Sequence, residues 1–366
     1  MTTAEWSEIA VPLPRPPKAE LENPVSNSTL NSHPHLFAVK TPINIPIFQT
    51  LLSDHPNRPF VESVLSGLRE GFWPWANTLS PNLPSIHAQQ PNSQYEDTHL
   101  SFFRAQLQHE LERGRYSPSL GSQLLPGMYS MPIYAVPKPG STDLHLVNDH
   151  RAGPFSLNSM IDHDLITGYP LDNLHQLGHM LLDLHDLMPG LDLIMWKSDI
   201  AEAYRMCPMH PLWQIKQAVH VDGNYYIDRA NCFGSSASFA IFISVNSLIA
   251  WIAKKDQGIT SLITYVDDSS GPAVAGDVLY YEPYSSLLPS PQTILLRLWD
   301  ELGVPHKMKK QVSGSPLPII GIDVDPNALT FTLPDAARQR LVAELETWVS
   351  DKTTRFRLRC WQKLAG

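Results

Sequence analysis

The sequence predicts an α+β fold built around an antiparallel sheet, on three observations. Extended and helical patterns are mixed along the chain without the strict strand–helix alternation of a parallel, doubly wound sheet. Extended runs come in neighbouring pairs, "MPIYAVPKPG" before "DLHLVNDHR" and a strand pair within "QAVHVDGNYYIDRANCF". Two apolar, β-branched runs, "LDLIM" and "SLITY", are too short for helices and read as buried strands.

Residues 1–35 are rich in Pro, Ser and Asn with no apolar period, which predicts a disordered tail. Residues 36–98 form an N-terminal extension: a helix in "PFVESVLSGLREGF", then a Pro-rich loop, "SPNLPSIHAQQPNSQYEDT". Helical spacing returns in "LSFFRAQLQHELERG", stopped by Gly114. The two extended runs at 131–140 and 143–151 follow, then a helix in "PLDNLHQLGHMLLDLHDL" and the apolar strand "LDLIMWKSDI". After the strand pair at 217–233 come an apolar helix from Ser238, the strand that ends in Tyr-Val-Asp-Asp, and a helix in "QTILLRLWDELG". An amphipathic helix in "LPDAARQRLVAELETWVS" and the start of another in "LRCWQKLAG" close the chain.

With 366 residues and 43% hydrophobic content the chain can bury a substantial core in two or three subdomains. A net charge of −9 argues against a broadly basic nucleic-acid surface. Cys207, Cys232 and Cys360 are far apart and odd in number, so neither a disulfide framework nor a zinc ribbon is expected, and a reducing compartment fits. The N-terminus lacks a signal peptide's positive start and apolar core. The run from Ala237 to Ala253 holds three Ser and Asn246, which favours a buried core helix over a membrane span. The expected location is therefore intracellular, cytoplasm or nucleus, not secreted, with no membrane partner.

The chemistry concentrates at the strand ends. Asp199 follows "LDLIMWKS" and Asp267 with Asp268 follow "SLITYV", so pairing these strands would bring Asp199 and Asp267 onto one face. Mg²⁺ takes such hard oxygen ligands, and a metal pair can clamp both the attacking and leaving oxygens of a phosphoryl transfer. Strand alternation keeps Asp267 and Asp268 from both pointing inward, so Asp267 is expected as the direct ligand and Asp268 as the outer one. "DDSSG" is equally the composition of an ordinary turn. The His clusters at 33–35, 162–164 and around His185 lack zinc-site spacing, and neither a phosphate loop nor a nucleophile elbow is present.

Six blocks in order resemble a reverse transcriptase of a retroelement: "ELERGRYSPS", "VPKPGSTDLHLVNDHRAGPFSLNSM", "KSDIAEAYR", "FGSSASFAIF", "YVDD" and "LGVPHKMKK", followed by "IIGIDV". The wording of "DHRAGPFSLNSMI" and "HPNRPFVESVLSGLREGF" looks most like elements of the tyrosine-recombinase (DIRS-like) type. The resemblance implies a right-hand polymerase palm with an antiparallel sheet, fingers and palm over residues 99–325 and a partial thumb over 326–366. It implies RNA-directed DNA polymerase activity, a nucleotidyltransferase using two Mg²⁺ ions (or Mn²⁺) held by Asp199, Asp267 and Asp268. Lys310, with Lys309 as rival, aligns with a lysine that protonates departing pyrophosphate. Lys138 aligns with a triphosphate contact, and Tyr204, Phe233 and Gly234 with the nucleotide floor, Tyr204 being the aromatic that excludes a 2′-hydroxyl. The partners implied are an RNA or DNA template with primer, deoxynucleoside triphosphates, and ribonuclease H and recombinase or integrase domains supplied separately.

Three departures accompany the match. His145 stands where the family has a second triphosphate-binding arginine, one donor in place of a charged fork, which implies weaker nucleotide binding. Phe239 replaces a usual proline, and the chain ends inside the thumb block. An inactive, truncated retroelement remnant, at most binding nucleic acid or protein, is the alternative expectation. Palms of RNA-templated RNA polymerases, a third option, more often carry Gly-Asp-Asp.

Overall fold

A computed structural model describes residues 1–92, 94–137, 143–350 and 358. Its central sheet runs in the order Val312–Gly314, Leu193–Asp199, Asp268–Val274, Ile263–Tyr265, and every pairing is antiparallel. Side-chain alternation splits the central strand between two cores. Met195 packs with Leu177 and Leu181 of the helix Leu174–Leu187 and with Leu317, Ile319 and Val324 of a second, three-stranded antiparallel sheet. Trp196 turns to the opposite face and joins the main core with Phe242, Leu296 and Trp299.

The apolar helix Ser238–Lys255 lies in that main core, with every residue from Ala240 to Ala253 buried. Its length and hydropathy would also suit a membrane span, but 83% of it is covered by the protein itself. Burial on all sides explains the lack of an amphipathic pattern. A hairpin of Ile133–Pro137 and Leu144–Asn148 packs against the helix Asp97–Glu112, and a mixed sheet joins His87–Ala88, Tyr129–Ser130, Ala218–Val221 and Asn224–Ile227. The Pro-rich loop thus contributes a short strand, paired parallel to Tyr129–Ser130, where only loop was expected. The helix Asp335–Ser350 buries no residue and exposes Val342 and Val349. Lys138, Cys360 and, Leu358 apart, the last expected helix lie outside the described residues.

The expectation of a disordered tail over residues 1–35 is corrected. Helices span Thr3–Ser7, Lys18–Leu21 and Pro24–Ser32, and the first packs on the core helix, with Trp6 edge-on to Phe60 at 5.6 Å. The anchors are polar groups with distant partners. Asp172, only 1% exposed, accepts from Thr3 N at 2.6 Å and Thr3 Oγ at 3.1 Å, and its other oxygen accepts from Thr264 N at 2.8 Å. Buried Glu20 accepts from Thr78 N at 2.5 Å and Thr78 Oγ at 2.6 Å. Apolar periodicity carries no trace of such anchors, which is why a Pro- and Ser-rich composition misled.

Replacing Asp172 with alanine strands two buried backbone N–H groups, so Asp172→Ala is expected to cost roughly 3–5 kcal/mol. Thermal unfolding and limited proteolysis read this out: a lower melting temperature and early cleavage before residue 35 are expected, and an unchanged cleavage pattern would show that the clasp holds nothing.

Candidate active site

The central pairing brings Asp199 directly opposite Asp268. Asp267 sits beside them in the tight turn that joins Ile263–Tyr265 to Asp268–Val274, rather than on a strand face. That turn is strained: Val266 has φ of 55°, the left-handed region that a β-branched residue rarely enters. Two contacts hold it there. Asn246 of the core helix donates from Nδ2 to Val266 O at 2.8 Å, and Ile200 N donates to Asp267 O at 3.0 Å.

The three carboxylates meet two lysines. Lys310 Nζ lies 2.8 Å from Asp199 Oδ2, and Lys197 Nζ lies 2.8 Å from Asp268 Oδ2. Of the two lysine candidates it is thus Lys310 that touches an acid, while Lys309 lines the same cavity. Burial, then the Asp199 and Asp268 charges, push the Asp267 carboxyl up to about 6 against the pull of Lys310. Lys310 in turn is held above its ordinary value: burial lowers it, but the Asp199 bond together with the charges of Asp199, Asp267 and Asp268 outweighs that burial. Among the described residues no three His, Cys, Asp or Glu side chains converge as a preformed metal cage. The donor chemistry nevertheless suits a hard cation that keeps several waters, because Asp267 is a half-buried oxygen donor crowded by the Asp199 and Asp268 charges.

A cavity of about 380 Å³ opens over these groups, lined by Asp199, Asp267, Lys310, His145 and Phe233 among others. Phe233 is 42% exposed, unusual for a large apolar side chain, and presents its ring to the cavity. Tyr204 stacks on it at 4.8 Å between ring centres and on Phe242 at 5.5 Å, and the His145 ring lies 5.8 Å from Phe233. Burial, with Asp267 nearby, pushes the Tyr204 phenol up to about 12, so its hydroxyl stays protonated. Gly234 has φ of 114°, and a Cβ there would lie 1.7 Å from Asn148 O. What requires glycine at this position is therefore the abutting hairpin strand, which also bonds from Asn148 N to Phe233 O at 3.0 Å. Phe239 lies edge-on to Tyr169 at 6.3 Å, away from the cavity.

Sequence reasoning assigned nothing to the ion network that walls this cavity. Arg205, its side chain 11% exposed, donates to Glu110 at 2.6 Å and to Asp228 at 2.9 Å. Arg115 binds Glu110 through both a 2.7 Å and a 2.8 Å bond and reaches Glu202 at 2.7 Å, where Arg113 also ends at 2.6 Å. Burial alone would raise Glu110, but Arg205 and Arg115 together bring it down to about 2. Bonded members lie as much as 95 residues apart in sequence, so only their shared charge hinted at them.

Asp267 gives the site a pH signature. The folded group keeps its proton to about 6, whereas an unfolded aspartate releases it near 3.8, so stability falls as pH rises between those values and stays reduced above them. Asp267→Asn removes a penalty on the order of 2–3 kcal/mol. Differential scanning calorimetry in metal-free buffer is expected to show the variant melting roughly 2–5 °C above the wild type at about pH 8 and level with it near pH 4. A variant that is less stable at the higher pH would overturn this charge assignment.

No protein-family profile matches the sequence, and no curated protein does. Solved structures do. One, the foamy viral protease-reverse transcriptase dRH in complex with double-stranded DNA, aligns at a TM-score of 0.50 and 16% identity over 90% of this chain and 52% of its own. Another, the foamy viral protease-reverse transcriptase in complex with double-stranded DNA, aligns at 0.51 and 15% identity over 90% and 63%. The chain thus spans between half and two thirds of these two structures. At this identity the likeness is one of fold: an α+β polymerase palm of the reverse-transcriptase kind, with fingers and part of a thumb.

Proposed function

We propose that the chain is an RNA-directed DNA polymerase of a retroelement, most similar to the DIRS-like type, that adds deoxynucleotides to a primer 3′-hydroxyl. The observation that carries this reading is the half-buried Asp267, its carboxyl pushed up to about 6, beside Asp199 and Asp268, with Asp199 and Asp267 lining a cavity that Phe233 also lines. Asp199, Asp267 and Asp268 would hold the Mg²⁺ ions, which when bound lower the pKa of the primer hydroxyl and neutralise the leaving pyrophosphate. Lys310 carries a proton that Asp199 keeps in place, and it is available to a leaving phosphate oxygen. Tyr204, packed between Phe233 and Phe242, would act through the Phe233 ring that lines the cavity to exclude a ribose 2′-hydroxyl. A template–primer duplex is the partner, in keeping with the DNA bound by the neighbouring structures. Ribonuclease H and recombinase or integrase functions would come from elsewhere, and the work would take place in the cytoplasm or nucleus.

One observation favours the inactive-remnant reading: lysine ammoniums already sit on two of the three acids. Primer extension separates the two. With RNA template, DNA primer and Mg²⁺, the wild type is expected to incorporate deoxynucleotides, and Asp267→Asn to lose at least about a thousandfold in rate, near 4 kcal/mol. Folded wild type with no incorporation would leave the remnant reading standing.

His145→Arg places a permanently charged fork at the cavity rim. Its apparent KM for deoxynucleotide is expected to fall several-fold with kcat little changed. An unchanged or raised KM would show that His145 does not face the triphosphate.

A further inference from the structure

A second cavity, about 890 Å³ and more than twice the volume of the catalytic one, lies on the other side of the Glu202–Arg205 wall. One side of it is the segment 39–46, which none of the polymerase blocks includes. That segment is preformed rather than loose. Thr41 Oγ donates to Met206 O at 2.7 Å, Asn44 N donates to Leu302 O at 2.8 Å, and Pro42 and Pro46 fix the backbone between and beyond them.

The lining divides into an apolar floor, with Ile43, Leu68 and Met206, and a cationic rim. Lys40, Arg69, Arg113, Arg115 and Arg205 face a single lining carboxylate, Glu202. Arg113, Arg115 and Arg205 are committed to Glu110, Glu202 and Asp228. Among the described residues Lys40 and Arg69 have no carboxylate partner, and Arg69 bonds only the neutral Gln49. The Lys40 ammonium lies against Gly114, 2.5 Å from where a Cβ would stand. Even with Glu110 and Asp228 counted, cations outnumber carboxylates here, in a protein of net charge −9. Volume and composition fall within the range of small-ligand sites.

We infer that this cavity is a second ligand site that takes an organic phosphate, its apolar body on Ile43, Leu68 and Met206 and its phosphate at Lys40 and Arg69. Guanidinium forks suit phosphate oxygens, and the apolar floor sets an organic phosphate apart from an inorganic one. The inference stands independently of polymerase activity.

Isothermal titration of the whole protein with ATP, in EDTA so that no metal-dependent binding occurs at the carboxylates, tests it. Saturable binding with Kd below about 1 mM is expected, weakened at least about tenfold in Lys40→Glu/Arg69→Glu and unchanged in Phe233→Ala. Both cationic positions are exposed, and a thermal melt checks that the double variant is folded. Inorganic pyrophosphate is expected to bind more weakly than ATP. No saturable binding to the wild type, undiminished binding to the double variant, loss in Phe233→Ala, or pyrophosphate as tight as ATP would each overturn the assignment.

Discussion

The antiparallel register between Leu193–Asp199 and Asp268–Val274 is the constraint on which the rest of the molecule depends. It runs unbroken from the pair Leu193 and Val274 to the pair Asp199 and Asp268, and a slip of one residue would turn every side chain to the opposite face. Met195 would leave the cluster beneath the helix Leu174–Leu187, Trp196 would leave the main core, and Asp199 would no longer oppose Asp268. Packing on two faces therefore enforces the position of the acids. The same hydrophobic burial that stabilises the sheet fixes the geometry of its polar end.

That polar end is held against its own preferences. Like charges crowd the Asp267 turn, and the backbone of Val266 occupies a conformation that its branched side chain disfavours. The core helix supplies the restraint through Asn246, the one amide in a stretch otherwise made of apolar and small residues. A residue that looked in sequence like an argument against a membrane span is, in the fold, the clamp on the turn. Further out, the largely buried Arg205, Arg115, Glu110 and Asp228 compensate one another, and removing any one member would leave a partner charged and dry.

Much of the fold was legible because it rests on local patterns. The helices in "PFVESVLSGLREGF" and "QTILLRLWDELG" follow from apolar spacing, and the helix from Ser238 from the length of an apolar run. The hairpin between Ile133–Pro137 and Leu144–Asn148 follows from paired extended runs. The N-terminal segment was not legible. Thr3, Asp172 and Thr264 are polar residues far apart in the chain, and nothing near any one of them in sequence announces the other two. Gly234 was read as part of the nucleotide floor, and only the fold shows that the carbonyl of Asn148 fills the space that a side chain there would need.

The sequence by itself determined which residues bear charge at the strand ends, which runs must be buried, and the order of blocks that pointed to a polymerase palm. Those are properties of residue type and short-range period, and chemistry at a strand end needs no more than that to be suspected. Tertiary structure alone decided that Asp199 opposes Asp268 while Asp267 occupies the turn, that Lys310 rather than Lys309 meets Asp199, and that Arg205 lies between two buried carboxylates. These depend on register and on contacts between distant segments, which form only when burial of both sheet faces selects one arrangement from many with the same local pattern.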